Sequence, residues 1–503
     1  MKVQINRKDI LFIIFSMTVF CFLCIHGLSN SALWGDEWVE YKVSQLEVRN
    51  GVMYDAIISN FQPPLYNFLM HFWLKISLNV LWFRSFNVVL CIITGICIFL
   101  TNTKLHGINI GCMSLILMAG CYEWVYCVQE CSEYCLMLMF LAMAIMLFVY
   151  IDNDERLYKV ILFVLASIGA MYSQYGAIFV VGPLLVVYFW KVICSKEIKK
   201  IVVTTIVYVI ALITAAFPLY NYFAKIQIAN NEISEHADAV VNIDIFKNLL
   251  VEFGNILCFF WHIESNDSFR IVRNILGITF LGLVVLFVTS YRKKGNNIKS
   301  NLLMVFLLGY VAHYFLTVFQ IYAMVHPNQS SGFMSRYSYF YIPLLMVVIP
   351  IIVSEVIKQL GEKKETNVQV LKGFVIGTLV TLMLVSSIPQ ILINWNKAYD
   401  DQFADIWIEQ KAYDDTTYLL GCAEFGFEHY VINCYGEQYD KNVYSYQEID
   451  YDNLPDVFWL WRTNFGGGDF YSIINMAQEK GYFIEIISDN GFEGQLARCI
   501  RID

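Results

Sequence analysis

Apolar segments of about twenty residues recur along most of this sequence, and a helix of that length spans the hydrocarbon core of a bilayer. Hydrophobic residues make up 58% of the 503 residues and charged residues only 15%, against roughly 25% charged in a soluble globular protein. This composition excludes a soluble enzyme, a disordered chain and a nucleic-acid-binding protein of the basic-patch kind. The net charge of -9 agrees, because an acidic chain has no general attraction to polyanions.

The apolar segments predict about eleven membrane-spanning helices. Their approximate limits are 10–29, 81–101, 106–122, 134–151, 158–172, 175–191, 201–223, 272–290, 300–323, 338–356 and 372–393. Residues 30–80 and 224–271 form two long segments between spans. Within the first, the apolar stretch 63–78 is short, begins with Pro63-Pro64 and carries His71 and Lys75, so we predict an interfacial helix there rather than a further span.

Basic residues decide the orientation of these spans. They are concentrated in alternate loops, such as those holding Lys199 and Lys200 or Arg292 and Lys293. The positive-inside rule then places the N-terminus in the cytoplasm and residues 394–503 outside. The sequence carries no obvious organelle-sorting signal, so we expect a plasma membrane, most simply a bacterial one.

Residues 394–503 are predicted to form a separate extracytoplasmic unit. Strand-like segments at 418–423, 457–461, 482–487 and 496–502 and a helix-like segment at 470–480, ended by Gly481, indicate a small α/β domain. The predicted fold class is therefore an all-α polytopic membrane protein, residues 1–393, with a small extracytoplasmic α/β domain at its C-terminal end.

Two adjacent carboxylates, Asp36 and Glu37, follow the first predicted span and lie between Trp34 and Trp38. Tryptophan is enriched at membrane interfaces, so this acid pair is expected at the outer membrane surface. An ordinary solvated acidic turn is the alternative interpretation of such a pair.

Further motifs follow the acid pair in order. They are Gln-Pro-Pro-Leu-Tyr at 62–66, Leu-Trp-Phe-Arg-Ser at 81–85, Gln-Glu-Cys-Ser-Glu-Tyr at 129–134, Tyr-Ser-Gln-Tyr at 172–175 and Ser-Arg-Tyr at 335–337, with Pro343 beyond the last. The ordered set resembles the polyprenyl-phosphate-dependent, GT-C type glycosyltransferases, in particular the protein O-mannosyltransferase and aminoarabinose transferase branch. The resemblance covers roughly residues 10–355. All of these motifs fall in segments that the charge asymmetry places outside.

The resemblance implies transfer of a sugar from a polyprenyl phosphate to an acceptor hydroxyl, with inversion at the anomeric carbon. The acceptor needs a base within hydrogen-bond reach, and we assign Asp36. The leaving phosphate needs cationic support, for which the planar guanidinium is suited. Arg336 is the first candidate for this role and Arg84 the second. We expect the acid pair and Arg336 to share one outward-facing cavity. The substrate-binding residues implied are Glu37, Gln62, Tyr66, Arg84, Glu130, Gln174, Arg336 and Tyr337.

Three glutamates, Glu123, Glu130 and Glu133, cluster in a short outer segment without a basic residue. They could hold a divalent cation or acceptor hydroxyls, since carboxylate oxygens suit Mg²⁺, Mn²⁺ or Ca²⁺; a solvated acidic loop is the alternative. No cofactor is assigned with certainty. The expected partners are the lipid-linked sugar donor, a glycan, lipid or protein acceptor, and membrane lipids, without nucleic acid.

Two other functions stay open at this point. A lipid-linked sugar transporter or polymerase is consistent with the hydropathy, although a transporter favours charged residues in mid-span. A catalytically inactive scaffold is the other alternative. It draws on three departures from the family pattern: Gln62 and Gln174 stand where histidine is usual, and Ser132 stands where arginine is common.

Overall fold

The computed structural model describes residues 6–28, 32–33, 35–60, 62–152, 154–229, 245–263, 269–294, 297–318, 336–361, 399–421, 423–463, 469–489 and 494–502, with a few residues between 381 and 392. The chain divides into two compact units. The membrane unit comprises Met1–Gly27, Val43–Ile76 and Arg84–Ile393. The tail unit comprises Leu28–Lys42, Ser77–Phe83 and Asn394–Asp503. The segment with the acid pair therefore clusters with the C-terminal residues.

Helices dominate residues 6–361. In chain order they are α1 (Arg7–Ile25), α2 (Gly35–Gln45), α3 (Val52–Ser59), α4 (Leu65–Leu74), α5 (Val80–His106), α6 (Ile108–Ala119), α7 (Tyr122–Gln129), α8 (Tyr134–Ile151), α9 (Leu157–Ser173), α10 (Ile178–Cys194), α11 (Ile198–Ala229), α12 (Ile245–Phe260), α13 (Phe269–Lys294), α14 (Ile298–Val318) and α15 (Ile342–Gly361). Short 3₁₀ helices, Tyr175–Ala177 and Arg336–Tyr341, come directly before α10 and α15.

Seven helices in the described part of the chain are long and apolar enough to cross a membrane, namely α1, α5, α8, α10, α11, α13 and α14. The pair α6 and α7, bent by 68°, makes an eighth if it is one broken span. The shorter apolar helices α9 and Ser338–Ser354 lie on predicted spans, whereas the predicted span 372–393 falls largely outside the described residues. The predicted polytopic helical fold is confirmed.

The predicted interfacial segment contains α4, whose two sides differ. Phe68 and Phe72 are exposed, whereas Tyr66, Asn67 and Met70 are buried. Exposed aromatic side chains on one side of a short helix are typical of a helix that lies in a membrane interface.

Proline interrupts the regular helical hydrogen bonding of α11. Pro218 has no backbone N–H, and its ring would clash with the carbonyl of residue 214 in a straight α-helix. The chain accommodates it with π-helical turns on both sides, Leu212–Ala216 and Tyr220–Ala224. Such wide turns are a common response to proline and re-aim the side chains that follow.

Helices α12 and α13 form a hairpin that two glycines bring into close contact. A Cβ atom at Gly254 would meet the carbonyl oxygen of Arg273, and one at Gly277 would meet the carbonyl oxygen of Leu250. Backbone approach of this kind requires small residues at the crossing, as in membrane helix pairs generally.

The tail unit contains a five-stranded sheet. Its strands are β1 (Thr416–Gly421), β2 (Val443–Ser445), β3 (Val457–Thr463), β4 (Tyr482–Asp489) and β5 (Gln495–Arg501), in the order β2-β1-β3-β5-β4. β1 pairs in parallel with β2 and β3, whereas β5 is antiparallel to β3 and β4. The four predicted strands are present. β2, three residues long, was not predicted.

Both faces of this sheet are covered, which explains the apolar character of β3. Phe458 and Leu460 pack with helix α17 (Phe470–Glu479). Trp459 and Trp461 pack on the other face with α16 (Tyr399–Glu409) and the π-helix Phe427–Tyr435. A strand buried on both faces reads as a continuous apolar run. Burial raises the pKa of the Cys499 thiol in β5 to about 12, so it packs as a small apolar side chain.

The predicted helix of the tail is also present. Asp469 caps the first turn of α17 by accepting hydrogen bonds from the amides of Tyr471 and Ser472. Gly481 follows the helix with φ +85, a conformation that favours glycine. The small α/β architecture predicted for the C-terminal region is therefore confirmed.

Candidate functional site

The acid pair begins a helix. Asp36 and Glu37 lie in the first turn of α2, where the partial positive charge of a helix N-terminus favours carboxylates. Glu37 is fully buried and Asp36 is partly exposed. The alternative of a solvated acidic turn is therefore wrong for Glu37, whereas Asp36 keeps access to its surroundings.

Glu40 is a third carboxylate on α2, buried like Glu37, and it was not predicted as a site residue. It lies three residues after Glu37 and four after Asp36, so all three share one side of the helix. This spacing is visible in the sequence and could have identified Glu40 as a candidate site residue.

Tyr66 is held by a polar side chain from α5. Pro64 precedes α4, where the fixed φ of proline suits a helix start, and the buried Tyr66 follows in the first turn. Its hydroxyl donates a hydrogen bond to Oδ1 of Asn87 at 3.2 Å. Nδ2 of Asn87 donates to the carbonyl oxygen of Glu130 at 2.6 Å. The structure thus brings together the motifs at 62–66 and 129–134 through a residue that no motif contained.

Arg84 lies one turn before Asn87 on α5 and is only 1% exposed. An arginine that anchors a helix at the membrane interface extends its guanidinium toward water, and the burial of Arg84 differs from that. A buried guanidinium is a fixed positive charge in a medium of low dielectric constant, where attraction to an anion is strong.

The three glutamates of the outer segment are buried, so the solvated-loop interpretation is wrong. Glu123 accepts a hydrogen bond from the hydroxyl of Tyr339. Glu130 directly follows α7 and Glu133 directly precedes α8, so they flank a break and do not share one helical face. Among the described residues, no group of three or more His, Cys, Asp or Glu is placed to hold a metal ion.

Gln174 has a local structural role. Its side-chain oxygen accepts a hydrogen bond from the amide of Gly176 and caps the 3₁₀ helix Tyr175–Ala177. The next residue, Tyr175, donates its hydroxyl hydrogen to Oε1 of Gln227 at 2.7 Å. The cap therefore fixes the start of a segment that is bonded to α11.

Gln227, which no motif contained, connects this segment to the motif at 62–66. Its Nε2 lies 2.8 Å from the carbonyl oxygen of Asn60 and 3.3 Å from that of Gln62. Within the described residues, the buried Oε1 of Gln62 has no hydrogen-bond partner. One buried amide thus joins the backbone of Gln62 to Tyr175, the residue after Gln174.

Arg336 and Tyr337 begin the 3₁₀ helix Arg336–Tyr341, and their side chains lie outside the described part of the structure. Asp36 and Glu37 belong to the tail unit, whereas Gln62, Tyr66, Arg84, Glu130 and Gln174 belong to the membrane unit. That the acid pair and the guanidinium of Arg336 share one cavity stays a prediction.

Described residues of the membrane unit line a cavity of about 530 Å³ and a smaller one. The larger runs between α9, α10 and α11 and has apolar walls with Tyr172 and Tyr208 among them. Their hydroxyls donate to the carbonyl oxygens of Ala215 and Leu185. The smaller, about 270 Å³, lies between α3 and α4 and includes Pro64 and Tyr172. Tyr172 therefore lines both cavities.

One part of the sequence matches a known protein family. Residues 61–220 match the family described as dolichyl-phosphate-mannose-protein mannosyltransferase. The matched part contains Gln62, Tyr66, Arg84, Glu130 and Gln174. No curated protein sequence matches the chain.

Solved structures of similar fold include ArnT from Cupriavidus metallidurans bound to undecaprenyl phosphate, with a TM-score of 0.52, 10% identity and coverage of 97% of both chains. The apo state of that protein has a TM-score of 0.50 with the same identity and coverage. The oligosaccharyltransferase of Archaeoglobus fulgidus, tethered with an acceptor peptide, also has a TM-score of 0.50 at 10% identity and covers 85% of this chain and 63% of that one. At these identities the likeness establishes the fold.

The fold is that of a polytopic membrane protein with a small sheet domain, similar to the fold of ArnT. The match over residues 61–220 confirms the resemblance to the polyprenyl-phosphate-dependent GT-C glycosyltransferases that the sequence motifs indicate.

Proposed function

We propose that this protein transfers a sugar from a polyprenyl phosphate to an acceptor hydroxyl at the outer face of the membrane. The observation that carries the proposal is the family match over residues 61–220, whose description names a lipid-phosphate sugar as donor. Five of the predicted site residues fall in this segment, and two of them, Tyr66 and Glu130, are joined through Asn87.

Asp36 is the proposed base. The acceptor oxygen forms a bond to the anomeric carbon while the bond from that carbon to the phosphate oxygen breaks, so the configuration inverts. The hydroxyl proton passes to Asp36, and the electron pair leaves with the polyprenyl phosphate. Phosphate is already a good leaving group, so this mechanism needs a base and no general acid. The partial exposure of Asp36 supports this role, because an acceptor hydroxyl must reach it.

The leaving phosphate is assigned to arginine. Arg84 supplies a buried positive charge, and a planar guanidinium can bind two phosphate oxygens at once. Arg336 is the second guanidinium in the proposal, with Tyr337 beside it. Fixed cationic donors that face developing charge contribute most where water is excluded, and the burial of Arg84 fits that condition.

Sugar hydroxyls are assigned to the polar groups around the motif at 62–66. The buried Oε1 of Gln62, without a partner among the described residues, is an acceptor that a sugar hydroxyl can satisfy, and satisfying a buried acceptor is worth more than adding an exposed one. Glu37, Tyr66, Glu130 and Gln174 complete the proposed substrate-binding set. The acceptor substrate is a glycan, a lipid or a protein.

The isoprenoid chain of the donor is assigned to the larger apolar cavity between α9, α10 and α11. Its walls come from helices in the predicted spans, and the hydroxyls of Tyr172 and Tyr208 on them are already bonded to backbone carbonyls. Such walls favour a hydrocarbon occupant. Tyr172 also lines the smaller cavity beside Pro64, which links the proposed lipid site with the motif at 62–66.

An inactive scaffold is the alternative that one observation favours. The side-chain oxygen of Gln174, at a position where the family usually has histidine, is used as a helix cap. A helix cap of this kind contributes to the fold whether or not the protein is catalytically active.

The test uses purified protein in lipid nanodiscs with a panel of radiolabelled polyprenyl-phosphate sugars and candidate acceptors. We expect time-dependent release of polyprenyl phosphate with at least one donor. Arg84→Gln should lower the rate about a hundredfold or more, as expected for loss of a charge-stabilising donor. Arg156→Gln is the matched control, because Arg156 is exposed and pairs with Asp154; it should retain the rate. Folded wild-type protein that turns over no donor in the panel would favour the inactive scaffold.

A further inference from the structure

Two side chains of the C-terminal region hold the backbone just before the acid pair. Oδ1 of Asp401 accepts a hydrogen bond from the amide of Ala32 at 2.7 Å. Nδ1 of His429 accepts one from the amide of Leu33 at 3.2 Å. Leu33 and His429 are both buried, so the contact between them is protected from competition by water, whereas Asp401 is partly exposed.

The ring of His429 also packs on the helix that carries the acid pair. It lies edge-on to Trp38, with ring centroids 5.7 Å apart, and edge-on to Tyr41 at 6.2 Å. The hydroxyl of Tyr41 donates to the carbonyl oxygen of Leu78 at 2.9 Å. One imidazole therefore contacts the chain on both sides of Asp36 and Glu37.

A charged contact adds to this arrangement beyond the acid pair. Lys42 pairs with Glu428, the residue before His429, and its ammonium lies 4.6 Å from the ring centre of Trp38. Both side chains of the ion pair are about half exposed, so the pair is weak by itself. The buried hydrogen bond at Leu33 is the contact that water weakens least.

We propose that His429 is a positioning residue for Asp36, so that the C-terminal domain contributes to catalysis through the segment that carries the acid pair. All the contacts that support this lie within the tail unit, which contains Leu28–Lys42 together with Asn394–Asp503. An acceptor role at Nδ1 places the imidazole hydrogen on Nε2. The catalytic part of this inference rests on the proposed function.

The position of Asp36 matters because displacement of a reacting group by about 1 Å can cost on the order of a hundredfold in rate. Loss of the acceptor at residue 429 frees the amide of Leu33, three residues before Asp36. The main effect is therefore expected on the rate of the chemical step, with a smaller effect on donor binding.

The experiment measures hydrogen exchange by mass spectrometry on the full-length protein in nanodiscs, in peptides covering residues 32–42. His429→Phe keeps a ring and removes the acceptor; His429→Asn restores an acceptor close to the position of Nδ1. We expect exchange at Leu33 to rise about tenfold in His429→Phe, as for loss of one ordinary hydrogen bond, and to stay near wild type in His429→Asn. Tyr430→Phe, in the same π-helix, is the matched control and should leave exchange at 32–42 unchanged.

Transfer kinetics supply the second measurement. We expect His429→Phe to lower kcat far more than it changes the KM for the donor, and His429→Asn to restore kcat. Unchanged exchange in His429→Phe, or raised exchange with an unchanged kcat, would overturn the positioning role. Raised exchange in a protein whose wild-type form transfers no sugar would confirm the contact and overturn the proposed function with the catalytic part of this inference. If His429→Phe does not fold, Asp401→Leu against Asp401→Asn applies the same comparison at Ala32.

Discussion

Tyr66 and Asn87 are joined by a hydrogen bond of 3.2 Å between two buried side chains, one on α4 and one on α5. The side-chain amide of Asn87 also donates a hydrogen bond to the backbone carbonyl oxygen of Glu130. The interfacial helix, the span after it and the buried acidic segment are therefore one connected polar arrangement.

The first prediction concerns this arrangement. Tyr66→Phe should destabilise the protein by about 1 kcal/mol, the usual value of one net hydrogen bond. Asn87→Ala should cost about 1–3 kcal/mol, because it leaves buried polar groups without partners. Thermal unfolding in detergent measures both. Tyr54→Phe is the control, since the Tyr54 hydroxyl bonds at 3.3 Å in an exposed setting. Equal effects of Tyr54→Phe and Asn87→Ala would contradict the prediction.

A second prediction concerns Gln227, whose amide joins Tyr175 to the segment before Pro63. Gln227→Leu should raise hydrogen exchange in residues 57–62 and destabilise the protein by about 1–3 kcal/mol, since the carbonyl oxygens of Asn60 and Gln62 lose a buried donor. Gln227→Glu keeps the acceptor for Tyr175 but loses the donor, so it should loosen residues 57–62 as well. Tight protection of this segment in Gln227→Leu would contradict the assigned contacts.

The third prediction uses two glycines of the same helix, α13. A Cβ atom at Gly277 collides with the carbonyl oxygen of Leu250, whereas one at Gly282 meets nothing within 4 Å. Gly277→Ala should cost about 1–3 kcal/mol by overpacking, while Gly282→Ala should be neutral or slightly stabilising because alanine favours helix. The melting temperatures of the two variants measure this difference in stability. A more stable Gly277→Ala would show that α12 and α13 are not in close contact.

Much of the fold could be predicted because membrane helices and buried strands leave strong local signals. The apolar run over α8 and the continuous apolar pattern of β3 are examples. β2 could not be predicted, since three residues, Val443–Ser445, are too few to show a periodicity. The broken hydrogen bonding around Pro218 could be anticipated from the proline, but the choice of π-helical turns could not.

The residues of the candidate site could be predicted where they belong to motifs of consecutive residues. Asp36, Glu37 and Arg84 stand in recognisable motifs. Glu40 was missed although its spacing from Asp36 is visible in the sequence. Local sequence patterns gave no signal for Asn87, Gln227 or His429, because each acts through contacts with residues distant in the chain. His429, for example, bonds to Leu33, and the residues around neither position predict this contact.

A fourth prediction concerns membrane topology. A reporter enzyme active only outside the cytoplasm, fused after Asp503, should be active, because the loop charges predict that the C-terminal domain lies outside. The same reporter fused after Lys196, in a basic loop predicted to be cytoplasmic, should be inactive. Activity with the reverse pattern would invert the orientation and remove the acid pair from the outer face.

The most direct measurement of the central claim is the rate of sugar transfer by Asp36→Asn. Removal of a general base should lower the rate by about 10²–10⁴-fold, with wild-type abundance and thermal stability in the membrane. Asp55→Asn is the matched control, because Asp55 is an exposed acid on α3, and it should transfer at the wild-type rate. Transfer by Asp36→Asn at the wild-type rate, in a protein shown to be folded, would contradict the assignment of Asp36 as the base.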